Sequence, residues 1–147
     1  MSYLFVLLAF LTGIAISIQA GVNANLRQSL GNPVLAAAVS FGSGFLSLAI
    51  ALLVMRVPLP ALDTIRQVSW WKWTGGVIGA VYVTTVIVSV PRIGTANLVS
   101  LSVAGQLLAA VVLDHYGLLG FAQHPANGWR LLGLLLIVGG VLLVVKN

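Results

Sequence analysis

The chain has 147 residues, of which 60% are hydrophobic and only 6% charged, and its mean hydropathy is +1.11. Soluble domains carry charge on about a quarter of their residues, so this composition argues against a water-soluble globule and for an integral membrane protein. Cysteine is absent, which excludes disulfides and thiolate metal sites. The net charge of +5 comes from basic residues set singly between apolar runs. They form no patch, so they read as interfacial anchors and topology signals rather than a nucleic-acid footprint.

A spanning helix needs about 20 apolar residues, and the charges divide the chain into five such runs. Helices are expected near Tyr3–Ala24, Pro33–Met55, Trp73–Val90, Thr95–Leu113 and Trp129–Val145. They would form one five-helix transmembrane domain over residues 1–147, an all-α fold. The first run lacks a basic n-region and exceeds the usual h-region, so it reads as a span and not as a cleaved leader.

Gln19, Asn23 and Asn25 lie near the end of the first helix. Residues four apart sit one above the other. Thr12, Gln19 and Asn23 therefore share one face, and Gly13, Ser17 and Gly21 share another. In lipid an amide must find a partner or line a wet cavity. Gly31-Asn32-Pro33 marks the turn into the second helix. There Ser40, Ser43, Gly44 and Ser47 share a face, suited to close packing or to a cavity wall bearing hydroxyls. Pro58 and Pro60 mark a longer loop.

In the third helix Gly75, Gly79, Tyr82, Thr85, Val86 and Ser89 share a face. Tyr82 lies mid-helix, so its hydroxyl either bonds a neighbouring helix or meets a substrate. Pro91 is expected to end this helix, with Gly94 allowing a tight connection. In the fourth helix Ser102 and Gln106 share a face with Ala109, while Asn97, Ser100 and Ala104 lie roughly opposite. Gln106 is the deeper amide and the better cavity residue. The fifth helix is aliphatic, with Gly133, Gly139 and Gly140, and is suited to packing. Asp114, His115 and His124 in the preceding loop are too weak a set for a metal site. Asp114 is expected to bond backbone groups or a basic residue.

Five crossings put the termini on opposite sides. The amino-terminal side carries Arg56, Arg66, Lys72, Arg130 and all four tryptophans; the other carries Arg27, Arg92 and Lys146. Four against three is a weak orientation bias. A single orientation, insertion both ways with antiparallel pairing, and a separate partner chain all stay open. No acidic, basic or histidine residue lies in the membrane interior of an expected span; Arg130, at the start of the fifth, is placed at the headgroups. Intramembrane carboxylate coupling and nucleophile–base catalysis are therefore disfavoured, and no cofactor is expected.

These residues resemble a known family. Asn23-x-x-Leu26 is followed by Ser40-Phe41-x-x-Gly44, then Trp70-Trp71-x-Trp73-x-Gly75-Gly76-x-x-Gly79-Ala80, Pro91-x-x-Gly94, Ala104-Gly105-Gln106-Leu107 and Asp114-His115-Tyr116-Gly117. Their order and spacing are similar to the YdcZ-type family of the drug/metabolite transporter superfamily, over nearly the whole chain. The family is related to EamA-like half-transporters and to small multidrug resistance proteins. Gly133-x-x-Leu136-Ile137-x-x-Gly140-Val141 resembles the motif that holds antiparallel dimers of the latter together. Those relatives carry a glutamate in the first helix, whereas this chain has no acid there, which speaks against cation/proton antiport on that pattern.

The resemblance implies one half of an inverted-repeat transporter in a bacterial-type inner membrane, completed by a second copy or a paralogous five-helix subunit. The expected activity is secondary transport of a small neutral or zwitterionic metabolite by alternating access. Gln19 and Asn23 would contact the substrate, Tyr82 and Gln106 would complete or gate the pocket, and Ser40 and Ser43 would add hydroxyls. The rival expectations are a structural or regulatory membrane subunit and a lipid flippase.

Overall fold

The computed structural model describes residues 3–120 and 122–146. Those residues form six α-helices: α1 (Tyr3–Leu30), α2 (Pro33–Val54), α3 (Leu62–Arg66), α4 (Gly75–Ile93), α5 (Thr95–Tyr116) and α6 (Gly128–Lys146). Short 3₁₀ turns cover Trp70–Thr74 and Leu118–Gly120. Strands are absent among the described residues. Five helical stretches are long and apolar enough to cross a membrane: Tyr3–Leu30, Pro33–Val54, Trp70–Ile93, Thr95–Tyr116 and Gly128–Lys146. The chain folds as two compact units, one ending at Arg92 and the other beginning at Ile93.

In the first unit, α1 and α2 pack together. The turn between them is set by local chemistry. Gly31 takes a positive φ of 70° and its N–H returns to the Arg27 carbonyl at 2.8 Å, closing α1 with a left-handed residue. Asn32 then caps α2, its Oδ1 accepting from the N–H groups of Val34 and Leu35 at 2.8 and 3.0 Å. Pro33 occupies the first turn, where no N–H is needed.

The core of this unit is small. Ala36, Ala37 and Ile87 are buried together, with Leu26 and Val83 against them. Ala20 and Ala24 are the buried apolar residues of α1. Lipid offers no hydrophobic drive between helices, so association depends on small residues that admit close backbones. The large aliphatic side chains mostly point outward, as a lipid-facing surface requires.

Phe41 of α2 reaches α4. A Cβ built at Gly79 would lie 3.4 Å from the Phe41 Cζ, so the ring rests on the glycine. In the second unit α5 packs on α6, with Leu98 and Val141 the buried residues of the two helices.

Several helix ends differ from expectation. α1 continues past Ala24 to Leu30. Its terminal polar residues are accommodated: Asn25 Nδ2 donates to the Gly21 carbonyl at 3.1 Å, and Arg27 donates to the Ile87 carbonyl. Pro91 does not end its helix; α4 runs through it to Ile93. The loop after α2 contains the short α3, and α4 begins at Gly75 after a 3₁₀ run through the tryptophans.

Candidate functional site

Amides and hydroxyls are the chemistry available at depth in the first unit. Most hydroxyls are already used. Thr12 donates to the Leu8 carbonyl, Ser17 to Gly13, Ser43 to Ser40, Ser47 to Ser43 and Thr85 to Val81, at 2.8–3.1 Å. Each bond satisfies a hydroxyl on its own helix, which lets such residues face lipid or a neighbour without an outside partner.

Two of the expected site residues come together. Gln19 of α1 and Ser40 of α2 line one open groove of about 400 Å³, with Phe41, Gly44, Phe45 and Leu48. Neither side chain has a hydrogen-bond partner among the described residues, so both are available to a ligand. The rest of the wall is apolar, apart from the backbone of Gly44. Phe41 also walls a second hollow of about 170 Å³ between α2 and α4, which reaches Thr84. Phe41 thus lines both spaces, its ring resting over Gly79.

Asn23 sits one turn beyond Gln19 and is 4% exposed. Its amide bonds no described residue, yet neither amide atom is sealed from the surface. Ser43 is exposed and its hydroxyl is spent on Ser40. Tyr82 is 38% exposed on α4 and its hydroxyl bonds no described residue. Gln106 lies exposed on α5 in the second unit, its amide likewise unpartnered. An amide left so within lipid costs several kcal/mol.

On α6, Val141 is buried and Gly133 half-buried, whereas Leu136, Ile137 and Gly140 are exposed. The face carrying the glycine motif is therefore shared between the α5 contact and the outside.

Asp114, His115 and His124 tie the α5–α6 loop. The Arg130 guanidinium donates to Asp114 Oδ2 at 3.2 Å and to the His124 carbonyl at 3.0 Å. The Ala126 N–H donates to His115 Nδ1 at 3.1 Å, and the His124 N–H to the Asp114 carbonyl at 2.8 Å. Asp114 thus pairs with a basic residue.

Sequence reasoning passes over Arg27, Phe41 and Phe45 as site residues. Arg27 carries the four-residue spacing of Gln19 and Asn23 one turn further, which is the signal that finds it. The phenylalanines sit in an apolar run and give no contrast.

A model of the family described as "Putative inner membrane exporter, YdcZ" matches residues 4–143. No curated protein and no solved structure matches the chain.

Proposed function

The chain belongs to the YdcZ-type family of the drug/metabolite transporter superfamily, inner-membrane proteins of the exporter class rather than enzymes, and from that premise we propose a small secondary transporter of a neutral or zwitterionic metabolite. The observation that carries this reading is the Gln19/Ser40 groove. It offers one amide and one hydroxyl, both unspent, on an apolar and aromatic wall. That is the composition of a site that orients a small amphipathic solute.

Two copies, or one copy and a paralogous five-helix subunit, complete the transporter. The amide of Gln106 and the phenol of Tyr82 support this: neither has a hydrogen-bond partner among the described residues of its own unit, and a polar group at depth calls for one. Antiparallel pairing would give inverted halves around a midplane site, and rocking between them would alternate access.

The test is solute flux into liposomes holding the purified protein, with and without a proton gradient. Gln19→Ala and Ser40→Ala should each lower flux at least tenfold with the oligomer intact. Full flux by both variants rules out the groove as the site. Accessibility of tags on both termini, probed from each side, decides between one orientation and two.

A further inference from the structure

Pro91 stands inside α4 and has no N–H to give. The carbonyl of Ile87, four residues earlier, therefore lacks its helical partner. Arg27 of α1 supplies one: its Nη1 donates to that carbonyl at 3.3 Å. The contact uses one of the five N–H donors of a guanidinium.

The remaining donors have no carboxylate to meet. The chain holds only two acids. Asp63 is paired with Arg66 and Asp114 with Arg130. Arg27 is also the one half-buried residue among the seven lysines and arginines; the other six are exposed. Withdrawing a cation from water is costly unless an anion faces it. A guanidinium is shaped to take a planar oxyanion with two parallel bonds.

Asn23 is the second, independent observation. It lies one turn before Arg27, is 96% buried by complement of its 4% exposure, and has an unpartnered amide. Helical side chains lean toward the amino terminus, so the Arg27 stem leans toward Asn23. Gln19, another turn back, opens on the groove. The three residues form a stripe that spans ~12 Å along α1 at 1.5 Å per residue.

We propose that Arg27 and Asn23 form an oxyanion-binding site at the end of this stripe. Arg27 donates two bonds to a carboxylate or phosphate and the Asn23 amide N–H donates a third. A carboxylate-bearing solute would set its oxyanion there and its apolar body toward the groove, which narrows the transporter reading and rests on it. A lipid headgroup phosphate offers the same chemistry from the membrane surface.

The probe is benzoate, titrated into the purified full chain in phosphatidylcholine nanodiscs, with arginine side chains labelled with ¹⁵N and followed by NMR. The Arg27 signal, identified by its loss in Arg27→Gln, should shift saturably. Asn23→Leu should weaken that binding at least tenfold; an unchanged affinity removes Asn23 from the site. Arg27→Gln leaves the Ile87 carbonyl bare, so the decisive pair is Pro91→Ala, which returns an N–H to that carbonyl, against Pro91→Ala with Arg27→Gln. Binding kept by the first and lost by the second supports the site; binding kept by both overturns it. Phosphatidylglycerol in the nanodisc separates the sources. If it shifts the Arg27 signal and raises the benzoate Kd tenfold or more, the headgroup is a ligand; if the benzoate curve is unchanged, the solute is. An Arg27 signal that neither anion moves overturns the proposal. Flux is a separate readout: an intact site without flux overturns the transporter reading alone, and flux without the site overturns this proposal alone.

Discussion

The guanidinium of Arg27 lies 3.3 Å from the carbonyl oxygen of Ile87, a residue sixty positions later, and it takes the place of the N–H that Pro91 lacks. Ile87 is the one large side chain fully buried among the described residues, so its carbonyl has little access to water. A buried acceptor left bare costs about 1–3 kcal/mol. Arg27→Gln should therefore destabilise the protein by about that amount, read as unfolding of the detergent-solubilised chain. In a Pro91→Ala background the same substitution should cost much less. Equal costs in the two backgrounds would show that the two residues are not coupled.

Gly79 holds the Phe41 ring by having no side chain. A Cβ there would sit 3.4 Å from Phe41 Cζ, an ordinary contact, so Gly79→Ala should be tolerated. Gly79→Leu must push the ring aside, at about 1–3 kcal/mol. Because Phe41 walls the groove, flux should fall with Leu and survive with Ala.

Ser40 and Ser43 are near neighbours on α2, yet their hydroxyls differ in use. Ser43 spends its proton on the Ser40 carbonyl at 2.8 Å; the Ser40 hydroxyl faces the groove unspent. Ser40→Ala should lower flux at least tenfold, and Ser43→Ala should leave it within about twofold, since a back-bonded hydroxyl contributes little beyond its own turn. Initial uptake rates in liposomes check the pair.

The five spans are legible because charge-free runs near twenty residues have few other uses. Their ends are less so. Asn25, Arg27 and Ser29 look like loop residues, but local back-bonding and one distant carbonyl accommodate them in the helix. Pro91 reads as a stop because the replacement donor comes from another helix, which no local pattern reveals. Gln19 and Ser40 stand out because polar groups at depth need a reason. Phe41 and Phe45 do not, since their role depends on which helix faces them.

Arg130 ties the α5–α6 loop through two bonds, to Asp114 Oδ2 and to the His124 carbonyl. The ion pair is partly screened, its side chains 39% and 33% exposed, so its charge contributes modestly. Arg130→Gln should cost about 1–2 kcal/mol because both bonds go. Asp114→Asn should cost less, since the His124 bond remains. Moderate salt should shrink the ion-pair share of both costs and leave their difference largely unchanged. Thermal unfolding in detergent at two salt concentrations measures all three.

The pairing of two copies is testable because the chain has no cysteine, so a single introduced thiol is unique. Val141 is 8% exposed whereas Leu136 is 69% and Leu132 46% exposed, so Leu136 and Leu132 can meet another copy and Val141 cannot. If α6 helices cross antiparallel near their middle, close to Ile137, a residue meets its own copy only near that crossing. Leu136 would face its counterpart within a few Å along the axis, roughly 3 Å at 1.5 Å per residue. Leu132 would lie about 15 Å from its counterpart, beyond the roughly 7 Å that a disulfide spans between Cα atoms. Oxidation in the membrane should therefore dimerise Leu136→Cys and spare Leu132→Cys and Val141→Cys. A parallel pair would bring both Leu132 and Leu136 against their own copies, so efficient cross-linking at both positions would exclude the antiparallel arrangement.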